Sequence, residues 1–185
     1  CFKPAGQFLK GLCPGCYKKV QKEKEKIKQQ KVKQKRELNT LTVPKVAVLV
    51  QKLCRLTGTD YCVSCGESTP LYHGGHWRSR RYHATIFYLK NIHNQCPKCN
   101  IFLSGNEYLH GKYIESEYGL ETADQLLKMS RQTYRWTKEE LKEIKEQALE
   151  HIALVGTMPK EEIRKSFIDW QESTEWFKKV NDGTD

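Results

Sequence analysis

Two Cys-x-x-Cys pairs, Cys62/Cys65 and Cys96/Cys99, stand thirty residues apart in this chain. Each pair can grip one metal ion from a single tight turn, and four thiolates make the tetrahedral shell that a structural zinc prefers. Gly66 and Pro97 suit the two turns. A disulfide framework fits less well, because the chain is lysine-rich, has no signal-peptide apolar segment, and spaces its cysteines as metal knuckles do. Such a knuckle, taken alone, can be purely structural. The polar residues between and beside the pairs shift that balance. His76 follows Gly74-Gly75, Asn91 lies five residues before Cys96, and Asn100 directly follows Cys99. A histidine on a strand can serve as general base toward water once its tautomer is fixed, and hydrolysis of a phosphodiester needs such a base together with a divalent cation.

The charge distribution points to a polyanionic partner. The 185 residues carry a formal net charge of +10, which suits nucleic acid better than an acidic membrane surface. From Ser68 to Asn106 there is no Asp or Glu, while Arg78, Arg80, Arg81, Lys90 and Lys98 are present. An acid-free, arginine-rich stretch around a candidate base can approach phosphates. Arg78, Arg80 and Arg81 flank His76 beside Trp77 and Tyr82; phosphate contact and a merely solvated face are the two readings. A second basic run, Lys18 to Glu37, holds ten Lys/Arg against three Glu. No stretch is long and apolar enough for a membrane span.

The elements that must position these residues divide into four segments. Residues 1–16 form an N-terminal cysteine cluster, in which Cys1, Cys13 and Cys16 supply three thiolates, one short of a closed second zinc site. The chain opens on Cys1 without a methionine and reads as a fragment. Residues 17–42 form a basic arm whose apolar positions make no continuous stripe, so it is either a solvated helix, partly disordered, or an arm that contacts DNA. Residues 43–110 hold the cysteine/histidine core behind a helix that opens at Val43-Pro44 and ends at Gly58. Cys54 in that helix reads as a small core residue. Short strands are expected near 71–72, 76–77 and 85–88, with a helix starting at Cys96. Residues 111–185 read as helical: one short helix over 121–129, one opened by the capping box at Thr137 to Glu140, and one begun by Pro159.

The order His76, Asn91, Cys96-x-x-Cys99, Asn100 resembles the HNH signature written around a zinc knuckle. The resemblance implies that His76 is the base, that Asn91 holds the loop and orients the ring, and that Asn100 ligates a catalytic metal. The match extends through Cys62-Val-Ser-Cys-Gly66, Gly75-His76, Asn91-Ile-His-Asn-Gln-Cys96 and Leu103-Ser-Gly-Asn106. With Tyr134-Arg-Trp-Thr-Lys-Glu-Glu-Leu141 and the N-terminal cysteines before a charged arm, the chain resembles the NinG/Rap family of lambdoid phage recombination endonucleases. The resemblance covers roughly residues 1–152; residues from about 156 onward lie outside it.

That family implies an α+β fold: a small ββα-metal (HNH) core around the four-cysteine knuckle, with flanking helices and a long basic N-terminal arm. It implies structure-selective cleavage of branched DNA, Holliday junctions included, in the cytoplasm of a bacterial host. It also implies an upstream cysteine to complete the second zinc. Symmetric cutting of a four-way junction takes two active sites, so a homodimer is expected. The sequence departs from the pattern in two places. Gly75 stands where many HNH enzymes carry a metal-binding Asp, and His73 stands where the family has an acidic residue. His73 and Asn100 are then expected to hold the catalytic ion, with water and the DNA phosphate completing its shell. Mg²⁺ or Mn²⁺ is the ordinary ion for this chemistry, and imidazole ligation favours Mn²⁺, Ni²⁺ or Zn²⁺. Leu89 stands where the family tends to have Glu. His93 is shared with relatives and is read three ways: contacting the scissile phosphate, supporting His76, or buried as a structural residue. His83 and His110 read as surface or loop histidines, and His151 as non-catalytic. The competing function is a non-catalytic, zinc-containing DNA-binding accessory protein of recombination.

Overall fold

The computed structural model describes residues 12–183, in two compact units, Cys1–Thr40 and Leu41–Asp185. The first unit carries helix α1 (Pro14–Asn39), 26 residues of mostly Lys, Gln and Glu. These unbranched side chains lose little rotamer freedom in a helix. Cys13 caps it, its Sγ accepting from the Cys16 amide at 3.4 Å, and Pro14 occupies the first turn. Val20, Ile27 and Val32 are exposed, as their lack of a continuous stripe predicts. Cys1 lies outside the described residues, and with it the expected three-thiolate set.

The second unit is organised around helix α2 (Val43–Thr57), whose Val46, Val50, Leu53 and Cys54 are fully or almost fully buried. Behind it pack α5 (Lys138–Ala153), through Leu141, Ile144 and Ala148, and α6 (Lys160–Ser173), through Ile163 and Phe167. Helices α3 (Glu107–Tyr118), α4 (Leu120–Ser130) and α7 (Glu175–Asp182) complete the same core. Each fully buried large apolar side chain contributes about 1.5–3 kcal/mol relative to exposure. The sequence division at 110/111 therefore does not correspond to a division of the core: the C-terminal helices bury the face that α2 would otherwise expose. The capping box at Thr137 forms as expected, with Thr137 and Glu140 each serving the other's backbone amide.

The sheet has two short antiparallel strands, β1 (His73–His76) and β2 (Ile92–Gln95), in the register His73↔Gln95, Gly75↔His93 and His76↔Ile92. Strand β2 runs into Cys96 and a single π-type turn over Lys98–Phe102. The expected strand at 85–88 is absent. Ala84 to Leu89 are buried, but they run between two 3₁₀ turns, His83–Thr85 and Leu89–Asn91. An apolar, β-branched and aromatic run has strand composition, yet here it plugs the core from a loop. The real second strand, Ile-His-Asn-Gln, is buried at all four positions, so it shows no alternation to read.

Candidate active cleft and metal centre

The Sγ atoms of Cys62, Cys65, Cys96 and Cys99 all lie within 4.8 Å of one another, with Cys65 and Cys96 3.8 Å apart. Four thiolates about 2.3 Å from a tetrahedral zinc would stand about 3.8 Å from each other. The set can therefore hold a structural metal such as zinc. Amide donors already point at the sulfurs: the Cys99 amide at Cys96 Sγ (3.4 Å) and Asn106 Nδ2 at Cys99 Sγ (3.5 Å). Asn106 reaches back because Ser104 and Asn106 adopt left-handed backbone, with φ of 50° and 45°. Asn tolerates that region better than most residues. The Leu103-Ser-Gly-Asn106 motif is thus the turn that closes the chain over the knuckle.

Beside the knuckle lies an open cleft of about 660 Å³, lined by His73, His76, Arg78, Arg80, Arg81 and Asn100 among others. The fold therefore brings together residues that the sequence spreads over 28 positions. His76 is half-buried, and its Nε2 lies 3.0 Å from the carbonyl oxygen of Ile86. With the ring proton on Nε2, that bond makes Nε2 the donor and leaves the Nδ1 lone pair as the basic site. Burial above all, with the nearby charge of Arg80, pulls the His76 pKa down to about 4. The ring is neutral at physiological pH. His73 Nδ1 and Asn100 Nδ2 are neighbours at 2.9 Å.

Asn91 is fully buried and staples the loop that follows β1. Its Nδ2 donates to the carbonyls of Arg78 (3.0 Å) and Thr85 (3.1 Å), and its Oδ1 accepts from the Arg78 amide at 2.7 Å. Ile86, the partner of His76, belongs to that loop. Asn91 thus fixes the base at one remove, through the backbone to which the ring is tied.

Two residues that the sequence does not single out contribute here, Gln95 packed against Gly75 behind the cleft and Glu107 on its wall. Gln95 is fully buried, with Nε2 donating to Ser64 Oγ and the Gly105 carbonyl, both at 2.6 Å, and Oε1 unpaired. A Cβ at Gly75 would stand 2.0 Å from that Oε1 and 2.9 Å from Asn100 Oδ1. This explains the missing Asp: two amide groups occupy the space its side chain would need. The paired glycines beside His76 were the available signal, since such glycines mark close approach. Glu107 is the second contributor. It lines the cleft from just past the acid-free stretch and is ion-paired with Arg78.

Other expected site residues lie elsewhere. Lys90 pairs with Glu172 at 2.7 Å and lines a different cavity, of about 360 Å³, so the structure does not place it among the cleft arginines. Lys98 is exposed on the π-type turn. His93 does not support His76 through a hydrogen bond. It is buried, with Nδ1 3.0 Å from His110 Nε2 and Nε2 3.3 Å from the Tyr118 hydroxyl. His110, expected at the surface, is fully buried, because α3 turns it inward onto β2. His83 is exposed, and His151 bonds the Gln147 carbonyl and Ser166 within the helices.

A family model described as bacteriophage lambda NinG protein matches residues 16–157. The Protein ninG of Escherichia phage lambda is 36% identical over 86 residues, and those of Salmonella phage P22 and Escherichia phage 933W are 34% identical over 86 residues. Each alignment covers 45% of this chain and 42% of the relative, so the matched stretch spans less than half of those proteins. No solved structure matches.

Proposed function

The chain belongs to the NinG family, and from that premise we propose that it is a metal-dependent nuclease of the HNH type, cleaving phosphodiesters in branched DNA. The observation that carries this reading is a neutral His76, tied to Ile86, inside a cleft walled by Arg78, Arg80 and Arg81. The two short strands followed by a helical turn support this reading, since a ββα-metal core needs elements in that order. His76 takes the proton from the attacking water at Nδ1, while Nε2 stays on the Ile86 carbonyl and holds the ring still. The arginines bind and orient the phosphate without reading bases. His73 and the Asn100 amide would hold the divalent ion, and the unpaired, buried Gln95 Oε1 adds a neutral oxygen beside Asn100. When bound, that ion supplies charge neutralisation at the scissile phosphate and the leaving oxygen. A donor set of imidazole and amide suits Mn²⁺, Ni²⁺ or Zn²⁺ better than Mg²⁺. Two copies of the chain acting together would cut a junction symmetrically.

One observation favours the accessory reading: Glu107, the one carboxylate among the described residues lining the cleft, is engaged by Arg78. The deciding experiment incubates the protein with a labelled four-way junction and Mg²⁺, Mn²⁺ or Ni²⁺ in turn, beside His76→Ala. The nuclease reading expects nicking that depends on the ion and falls by about 10²–10⁴ in the variant. Junction binding without nicking under every ion would leave the accessory role.

A further inference from the structure

The loop after β1 has a second face. Against it lies another groove, of about 590 Å³, walled on the far side by Ser130 at the end of α4 and by Arg131, Gln132, Thr133 and Tyr134 from the connection between α4 and α5. Arg78, Arg81 and Tyr82 line both this groove and the histidine cleft. The loop is thus a ridge between two cavities of similar size.

The ridge is braced from within and from the second groove. Arg81 donates to the Tyr82 hydroxyl at 2.9 Å, and its guanidinium carbon lies 4.9 Å from the ring centroid; Arg78 lies 5.3 Å from the same centroid. Trp136 Nε1 donates to the His83 carbonyl at 3.0 Å, tying the ridge to the segment that walls the second groove. That segment is itself held, since Tyr134 packs its ring 4.7 Å from Trp136 and donates its hydroxyl to Glu140 at 2.6 Å. Within the Tyr-Arg-Trp-Thr motif, Tyr134 therefore lines the far wall and Trp136 anchors the ridge. Among its described lining residues the second groove has no carboxylate, and exposed Arg131 stands on its wall with exposed Arg81 opposite, beside Arg78, which is ion-paired with Glu107. A groove with cations on both walls and no acid suits a phosphodiester backbone.

We propose that this second groove binds a second segment of nucleic acid, so that the Arg81–Tyr82 ridge stands where two strands or arms of the substrate diverge. One arm lies along the histidine cleft and the other along Arg131. A straight duplex fills one groove and gains little from the other, whereas a branched substrate fills both. The inference rests on the DNA-binding part of the function proposed above, but not on cleavage.

The test is binding of Arg131→Glu, without divalent ion, to a four-way junction and to a linear duplex of equal length across a salt series. Junction binding is expected to weaken about tenfold, with the slope of log K against log salt falling by about one, while duplex binding changes less than about twofold. Arg80→Ala, in the histidine cleft, is expected to weaken both substrates. Arg131→Lys keeps the charge and is expected to restore most junction binding. Equal losses of Arg131→Glu on junction and duplex, or no loss on the junction, would overturn the proposal. Because no cleavage is read, absence of nuclease activity leaves the test intact; a wild-type protein that binds neither DNA overturns this proposal together with the DNA-binding reading.

Discussion

Two histidine environments lie on neighbouring positions of one small sheet, and burial lowers the basicity of both. His76 sits half-buried in an open arginine-walled cleft, with one ring nitrogen on a backbone carbonyl. His93, paired in register with Gly75, is sealed in, both its nitrogens committed to His110 and Tyr118. A depressed pKa therefore does not by itself distinguish a base from a packing residue. What distinguishes them is that the His76 ring lines an open cleft and is held by backbone alone, whereas both His93 nitrogens are taken by neighbouring side chains.

The largest expected effect removes both environments together. Strand β2 runs directly into Cys96, and Asn100 follows Cys99, so the knuckle anchors the sealed pair and the cleft alike. Structural zinc supplies apparent folding free energy on the order of 10 kcal/mol in small zinc modules. Cys99→Ala is expected to lose bound zinc, measured by elemental analysis, and cooperative thermal unfolding, followed by circular dichroism. A variant that keeps both would show that the knuckle does not frame the sheet.

The next effect separates the two regions. His110→Ala leaves a cavity and orphans His93 Nδ1, at a cost of about 2–3 kcal/mol in urea unfolding. Nicking by the folded variant should be unchanged, the reverse of what His76→Ala does. Acid should reveal the same contrast. The pKa of His110 is held down to about 3, that of His76 to about 4, and that of His93 well below its usual 6.5, each chiefly by burial. As pH falls below about 6.5 the unfolded chain takes up protons that the folded chain refuses, so stability present above that pH is lost on the way down. Urea midpoints measured between about pH 7.5 and pH 5 should fall, and should fall less in the His110→Ala background. A midpoint independent of pH over that window would mean that these rings are not sealed as described.

The smallest effect tests the amide filling beside the cleft. Gly75→Ala drives a Cβ into Gln95 Oε1 and is expected to cost about 1–3 kcal/mol by overpacking. Adding Gln95→Ala should relieve the clash, so that the double variant is more stable than additivity allows in a double-mutant cycle. Strict additivity would mean the glycine is needed for some other reason.

Legibility followed the range of the interactions involved. The helix opened by Pro44, the capping box at Thr137 and the two cysteine turns were readable because each is completed within a few residues. His76, Asn91 and Asn100 could be picked out by type and order, and the fold does gather His76 and Asn100 into one cleft, with Asn91 stapling the loop behind it. The sequence shows no strand at Ile92–Gln95 and suggests one at 85–88 because both segments are buried on every side. In the strand this erases the period-two pattern, and in the loop it imitates a strand's composition.

From the sequence alone one could determine the metal-binding spacing, the basic character of the candidate site and the starts of α2, α4, α5 and α6, because those depend on local geometry and net charge. Only the tertiary structure decided that His110 faces inward, that Lys90 serves Glu172 rather than the cleft, that Gln95 packs against Gly75, and that Glu107 lines the cleft. It alone showed that Trp136 braces a ridge between two basic grooves. Each of these depends on which surfaces meet when helices from distant parts of the chain bury their apolar faces against α2 and the sheet. No spacing of residues along the chain encodes that meeting.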